Sequence, residues 1–234
     1  MKPKFNEAEI RREIASKCKG IYELRILMTD FYSTKLSAYF DSDYPDEIIR
    51  QMMSRSYPKN CNVNFYLTSN PVKEYCRSRE QFDNLIKCKI MTQDDDIERL
   101  TWLPIDIDPE HPAGTCATDE EKKNAWEQAE DVCHYMKAMG FDEPEIVDSG
   151  NGFHLKYRID LPNNEEGRGV VEQLLDKLHE SYPLVDVTSK NPSRILKLPG
   201  TLTMKGRHTE DRPFRWARIV QDAASTEEAT NAEQ

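Results

Sequence analysis

The chain runs to 234 residues, room for one large or two small lobes, with 38% hydrophobic and 32% charged residues. Its 42 acidic side chains outnumber 32 basic ones for a formal net charge of −10, which excludes a surface that holds polyanions indiscriminately and leaves any anionic partner to a local patch. No apolar run approaches a membrane span, and Met1-Lys2-Pro3-Lys4-Phe5 is not followed by the apolar core of a secretion signal, so a cytoplasmic chain with no membrane partner is expected.

A helix is expected over residues 5–16. Ile21 to Met28 then alternates as a strand with Tyr22, Leu24, Ile26 and Met28 on one face, and a second strand follows from Lys35 to Phe40. Pro45 opens a helix through Ser54, and Val63, Phe65 and Leu67 mark a third strand, giving an α/β lobe. Asp94-Asp95-Asp96 reads as a solvated acid cluster in a loop between lobes. Thr118-Asp119-Glu120-Glu121 is a capping-box start, after which Ala125, Ala129, Val132, Cys133 and Met136 keep helical spacing. A later helix is written in Val170, Val171, Leu174, Leu175 and Leu178. The second half thus orders strand, helix, strand, turn, strand, helix, strand, an α+β pattern that fits a ferredoxin-like or RNA-recognition-motif-like sheet with helices on one face and an open polar face. Phe214, Trp216 and Val220 share a strand period and read as core, leaving Arg215 opposite. Six cysteines, at 18, 61, 76, 88, 116 and 133, form no C-x-x-C pair, so free thiols are expected over a zinc site built with His111 or His134.

Three stretches carry chemistry. In Leu103 to Pro109, LPIDIDP, the strand period puts Asp106 and Asp108 on one face and Leu103, Ile105 and Ile107 on the buried one. Carboxylates so spaced suit hard divalent cations, which take oxygen ligands and keep waters for a phosphate to displace. In Ser149-Gly150-Asn151-Gly152-Phe153-His154, small and φ-permissive residues let backbone approach a phosphate, with His154 at the mouth of the turn and Lys156 two residues on. There Phe153, Leu155, Tyr157 and Ile159 alternate with His154, Lys156, Arg158 and Asp160 as a half-buried strand. In Leu184-Val185-Asp186-Val187, Asp186 supplies the third acid that a two-metal site needs. It is followed by a basic stretch, Lys190, Arg194, Lys197, Lys205, Arg207, Arg212, Arg215 and Arg218, against only Glu210 and Asp211. Of these, Lys190, Lys205, Arg212 and Arg215, with Lys156, are the candidate nucleic-acid contacts.

Together, D-x-D, S-G-N-G-F-H and an isolated Asp followed by Arg and Lys resemble the three catalytic motifs of the archaeo-eukaryotic primase superfamily, the primase-polymerases. The strings Pro144 to Leu155 and Asn191 to Thr201 resemble its mobile-element and phage branch in particular, and the likeness spans roughly residues 20 to 220 while staying weak before Leu100. The resemblance implies that Asp106, Asp108 and Asp186 are catalytic and hold Mg²⁺ or Mn²⁺, two ions in all. It implies that Ser149, Gly150, Asn151, Gly152 and His154 contact the incoming nucleoside triphosphate, with Arg194 and Lys197 as the basic pair after the third acid. It further implies a two-lobed core, with residues 1–100 as the N-terminal α/β lobe, 101–220 as the catalytic lobe and 221–234 as a tail or linker toward a helicase or accessory domain. The expected function is templated nucleotidyl transfer on single-stranded DNA, making or extending primers from nucleoside triphosphates. Two alternatives stand beside it. A replication-initiator-like module would bind single-stranded DNA with little catalysis, and a nucleotide-sugar glycosyltransferase would share the D-x-D alone.

Overall fold

A computed structural model describes residues 3–29, 33–58, 61–88 and 90–223. The first lobe is built from α1 (Glu7–Ala15), β1 (Ile21–Thr29), β2 (Lys35–Asp41), α2 (Asp46–Ser54), β3 (Asn62–Thr68) and β4 (Ile86–Lys87). The second contains β5 (Arg99–Ile107), α3 (Asp119–Ala138), β6 (Glu145–Asp148), β7 (Phe153–Pro162) and α4 (Glu165–Ser181). Short strands β8 (Ile195–Lys197), β9 (Leu202–Thr203), β10 (Arg215–Trp216) and β11 (Arg218–Gln221) return between the two.

The alternation in β1 separates two environments. Tyr22, Leu24, Ile26 and Met28 meet Ile10 and Ile14 of α1 and Ile48, Ile49 and Met52 of α2 in one apolar core. Glu23, Arg25 and Leu27 face the other way, toward the second lobe. The sheet runs β4-β2-β1-β3-β8 with every pair antiparallel, so β8, from the end of the chain's third motif, is an edge strand of the first lobe's sheet.

The second sheet runs β11-β6-β7-β5, also antiparallel. Leu103, Ile105 and Ile107 of β5 and Phe153, Leu155 and Tyr157 of β7 pack with Ala125, Ala129, Val132 and Met136 of α3 and Val171, Leu175 and Leu178 of α4. Thr118 caps α3 in a full capping box with Glu121, and Asn164 caps α4. Val170 differs from expectation and stands 51% exposed on α4.

Two features depart from the expected sheet. The final strand through Asp186 is reduced to a single bridge, Val185 to Ile107, because Asp186 instead caps a 3₁₀ turn over Val187–Lys190. The fourth strand is β11, on the opposite edge. The polar face is also not open: α1 and the first sheet cover it, so Lys156 is 1% exposed and ion-paired to Glu13 and Glu145. Arg158 lies over the Trp102 ring, 3.9 Å from its centroid. Asn70 closes the seam, its Oδ1 accepting the amide N–H groups of Thr101 at 2.8 Å and Trp102 at 2.9 Å.

Of Asp94 to Asp96, expected as a solvated cluster, Asp95 is exposed while Asp94 is half-buried and Asp96 buried. Asp94 accepts from the amide and hydroxyl of Ser193, Asp95 pairs with Arg168, and Asp96 accepts from Arg79 and Tyr75. The core reading is overturned for Trp216 and Val220, 39% and 44% exposed on sheet edges, while Phe214 is half-buried against the His208 ring. Cys18, Cys76, Cys88, Cys116 and Cys133 are free thiols, and no helix among the described residues is long and apolar enough to cross a membrane. The tail expected from 221 onward lies, beyond Ala223, outside the described residues.

Candidate active site

Register brings the first two motifs together. β5 and β7 pair so that Asp106 lies opposite His154, and the His154 Nε2 is 3.5 Å from the Asp106 Oδ1. Asp108 follows one residue beyond the strand, its amide donating to the Leu184 carbonyl at 3.0 Å, while the Asp186 amide donates to the Asp106 carbonyl at 2.8 Å. These two backbone bonds carry the third acid to the first two although no strand holds it.

Arg194 completes the cluster. Its Nη2 donates to the Asp106 Oδ2 at 2.9 Å and to the Asp186 Oδ2 at 2.7 Å, so one guanidinium bridges two of the three carboxylates. Arg194 is positioned in turn by Ser69, whose amide and hydroxyl donate to its carbonyl, and through Ser193 by Asp94.

The acids differ in electrostatic state. Burial pushes the Asp106 carboxyl up, against the pull of Arg194. Burial and then Asp106 push Asp108 up, and its carboxylate makes no hydrogen bond or ion pair among the described residues. Burial also opposes ionisation of Asp186, but the Thr188 hydroxyl and amide together with Arg194 outweigh it and hold that carboxyl below its ordinary value. His154 is driven down to about 4 by burial, against the pull of Asp108, so it is neutral near pH 7.

The glycine turn closes the other wall. The Ser149 hydroxyl donates to the Gly152 carbonyl and accepts its amide N–H, each at 3.0 Å, and the Gly150 amide donates to Asp148. Gly150 has φ +91°, and a Cβ there would sit 2.8 Å from Thr203, whose hydroxyl donates to the Ser149 carbonyl. At Gly152 a Cβ would overlap the Ile107 carbonyl oxygen and press on Asp108. Gly152→Ala is therefore expected to cost about 1–3 kcal/mol as an overpacking change, read as a thermal midpoint lower by several degrees.

These residues line one cavity of about 260 Å³ between the two sheets. Asp106, Asp108, Ser149, Asn151, His154, Arg194 and Lys197 all contribute, with Asp186 behind Arg194. Two of its nitrogens have no partner among the described residues: Asn151 Nδ2 and His154 Nδ1 are buried and unsatisfied. Lys197 is fully buried, donating to the Leu202 carbonyl at 2.9 Å, and burial followed by Lys205 pushes its ammonium well below the usual lysine range.

The candidate nucleic-acid contacts separate. Lys205 lines the cavity. Lys156 is sealed between the lobes, because Glu13 and Glu145 neutralise it there, and is corrected from a phosphate contact to an interlobe ion pair. Lys190 pairs with Glu172 on α4. Arg212 binds Glu121 and the Cys116 carbonyl, and Arg215 binds Asp119 and the Ala117 carbonyl, so both brace the start of α3. That segment backs the glycine turn, since the Ala117 amide donates to Asn151 Oδ1 at 3.2 Å.

No family model matches the chain, and no curated protein does. Solved structures do. Primase RepB′ superposes with a TM-score of 0.54 over 97% of this chain at 11% identity, and the primase-polymerase domain of cyanophage S-2L with 0.51 over 94% at 13%. The chain has the fold of archaeo-eukaryotic primase cores. It spans 64% of the RepB′ chain and 91% of the cyanophage domain.

Within this primase fold, several cavity residues lie outside the three motifs. Tyr66 of β3 and Leu27 of β1 form the first lobe's wall, and burial together with Asp106 and Asp108 raises the Tyr66 phenol to about 12. Their signal was Asn62, Asn64, Tyr66 and Thr68, a polar alternation marking the strand face that turns toward the second lobe. Among the described residues no three His, Cys, Asp or Glu side chains gather closely enough to hold a metal, because the Arg194 guanidinium stands between Asp106 and Asp186.

Proposed function

We propose that this chain is a primase-polymerase, transferring nucleotides from nucleoside triphosphates to a 3′-hydroxyl on a single-stranded DNA template. One observation carries the reading: the buried Asp106 and the unpaired Asp108 carboxylate meet the unpartnered nitrogens of His154 and Asn151 in a single cavity. The primase fold supports it.

The donor set fits a divalent cation. Two adjacent carboxylates whose ionisation burial opposes are stabilised by a cation between them, and their oxygens suit Mg²⁺ or Mn²⁺. Bound there, a pair of such ions would activate the attacking oxygen and neutralise charge on the transferring phosphoryl group. Asp106 and Asp108 would be the principal ligands, with Asp186 contributing as Arg194 yields its Oδ2. Arg194 meanwhile keeps the acids aligned. The neutral His154 retains one N–H to donate and, with Asn151 Nδ2, orients phosphate oxygens without adding charge beside Asp106. Tyr66 and Leu27 line the same cavity from the first lobe.

The test is a gel assay with single-stranded template, labelled nucleotides and Mg²⁺ or Mn²⁺, with and without primer, beside Asp106→Ala/Asp108→Ala. Product from the wild type alone is expected, with the double variant at least about 10²-fold slower and its template binding intact. Template binding without product in either lane would reject polymerisation in favour of a DNA-binding module.

A further inference from the structure

One nitrogen fills the space between two of the three acids. The Arg194 Nη2 lies 2.9 Å from the Asp106 Oδ2 and 2.7 Å from the Asp186 Oδ2, so the oxygens on which the first and third motifs converge are already bridged by a cation. A divalent ion held by the same two oxygens would stand about 2.0–2.6 Å from each, in the space that this nitrogen takes. The two arrangements exclude one another. In the ion-free protein the guanidinium aligns these acids, and for an ion between them it is an obstacle.

The rest of the cluster is not closed in this way. Asp108 makes no ion pair among the described residues, and the Asp106 Oδ1 meets the His154 Nε2 at 3.5 Å but no lysine or arginine. Lys205 bears on both acids across the cavity without an ion-pair contact to either among the described residues. Nor does Asp186 depend on Arg194 for its place. Its carboxylate accepts the Thr188 amide and hydroxyl, each at 2.8 Å, and its own amide donates to the Asp106 carbonyl at 2.8 Å. The third acid therefore stays where it is when the guanidinium withdraws, and the Arg194 Nη1 already has the Thr188 carbonyl and hydroxyl 3.4 Å away as its next acceptors.

We propose that Arg194 is an internal counter-cation that keeps one of the two cation positions shut, so that the site loads its ions in a fixed order: first at Asp106 and Asp108, and between Asp106 and Asp186 only after Arg194 has left. This rests on the metal-binding reading of the cavity. The second ion has to displace a charge-assisted contact to two carboxylates and therefore binds more weakly than the first. The one-ion protein is its resting state, and any step that needs both ions waits on the withdrawal of Arg194.

The test is titration of wild type, Arg194→Gln and Lys205→Met with Mn²⁺ in the absence of nucleotide, free Mn²⁺ being followed by its electron paramagnetic resonance. Wild type should take up two ions, the second about tenfold or more weakly than the first. Arg194→Gln should tighten the second by about tenfold or more and the first by far less, the scale of one charge-assisted contact removed. Lys205→Met deletes the same charge without a contact and should tighten both ions by a similar, smaller factor. Two equivalent ions on wild type, a single ion at saturation in both wild type and Arg194→Gln, weaker Mn²⁺ binding by Arg194→Gln, or an equal gain from Lys205→Met would each overturn the proposal. Wild type alone supplies a measurement that needs no stable variant at work: the ¹⁵N resonances of the Arg194 guanidinium should hold their positions through the first equivalent of a diamagnetic ion, Mg²⁺, and shift with the second. A shift with the first, or none with two ions bound, overturns the order of loading. Wild type that takes up no Mn²⁺ rejects the metal reading of the cavity and this proposal with it.

Discussion

Asp108→Asn is expected to stabilise the metal-free protein while cutting nucleotide incorporation by at least about 10²-fold. Asp108 is a half-buried carboxylate without a partner, set beside Asp106, and burial raises its carboxyl above the ordinary range. A group whose folded value is raised binds its proton more tightly in the native state. Stability of the metal-free wild type should therefore fall as pH rises from the ordinary carboxylate range through the raised folded value. An amide of the same shape removes that penalty. A gain of about 0.5–2 kcal/mol near pH 7, the usual scale for relieving a functional strain, would appear as a thermal midpoint higher by a few degrees and a flatter pH dependence. Adding Mg²⁺ should reverse the ranking, raising the wild type more than the variant. A variant that melts lower than wild type in chelator would show that Asp108 is held by contacts and is not waiting for a cation.

The same unpaired carboxylate explains how much of the site was legible in the sequence. Asp106, Asp108 and His154 stand out because strand period and a glycine turn are local, and local pattern survives folding. Asp186 stood out for its chemistry but not its geometry. Its short polar side chain caps the Thr188 amide, which favours a 3₁₀ turn over a strand, and the alignment with Asp106 comes from one backbone bond across the sheet edge. The β5, β6 and β7 core with α3 and α4 behind it was readable for the same reason as the motifs, whereas β11 as fourth strand and β8 crossing into the first sheet depend on pairings far apart in the chain.

Asp94, Asn64 and Lys205 were hidden differently. Nothing near Asp94 indicates that it holds Ser193, 99 residues away, and through it the loop of Arg194. Nor does a lysine in a polar segment declare that Asn62 and Asn64 clamp the residues on either side of it, Gly206 and Met204, because the clamp exists only once β3 and the segment after β9 are side by side. Charge was the most misleading signal. Arg212 and Arg215 read as a patch for phosphates and instead meet Glu121 and Asp119, the acids that also begin α3.

Lys156 is where that error has the largest energetic consequence, and Lys156→Met is expected to be strongly destabilising. The ammonium sits between Glu13 of α1 and Glu145 of β6, joining the lobes. Burial alone would neutralise all three groups, yet Lys156, with Lys17 3.3 Å from the same acid, holds Glu13 down to about 2. Burial still keeps Glu145 above its ordinary value despite the same partner. Removing one member of a buried ion cluster leaves uncompensated charge and costs about 3–5 kcal/mol. At about 2–4 °C per kcal/mol for a chain of this size, the midpoint should drop by roughly 6–20 °C. The sign with pH follows from Glu13: a depressed folded value contributes stability above the ordinary carboxylate range that is lost as pH falls toward 2, so the acid side of the wild-type stability profile should be steeper than the variant's. Lys156→Met/Glu145→Gln should recover part of the loss, since it leaves one fewer orphaned acid and Lys17 still faces Glu13. A phosphate-binding lysine would behave otherwise, leaving the melting profile unchanged and weakening nucleotide binding at all temperatures below it.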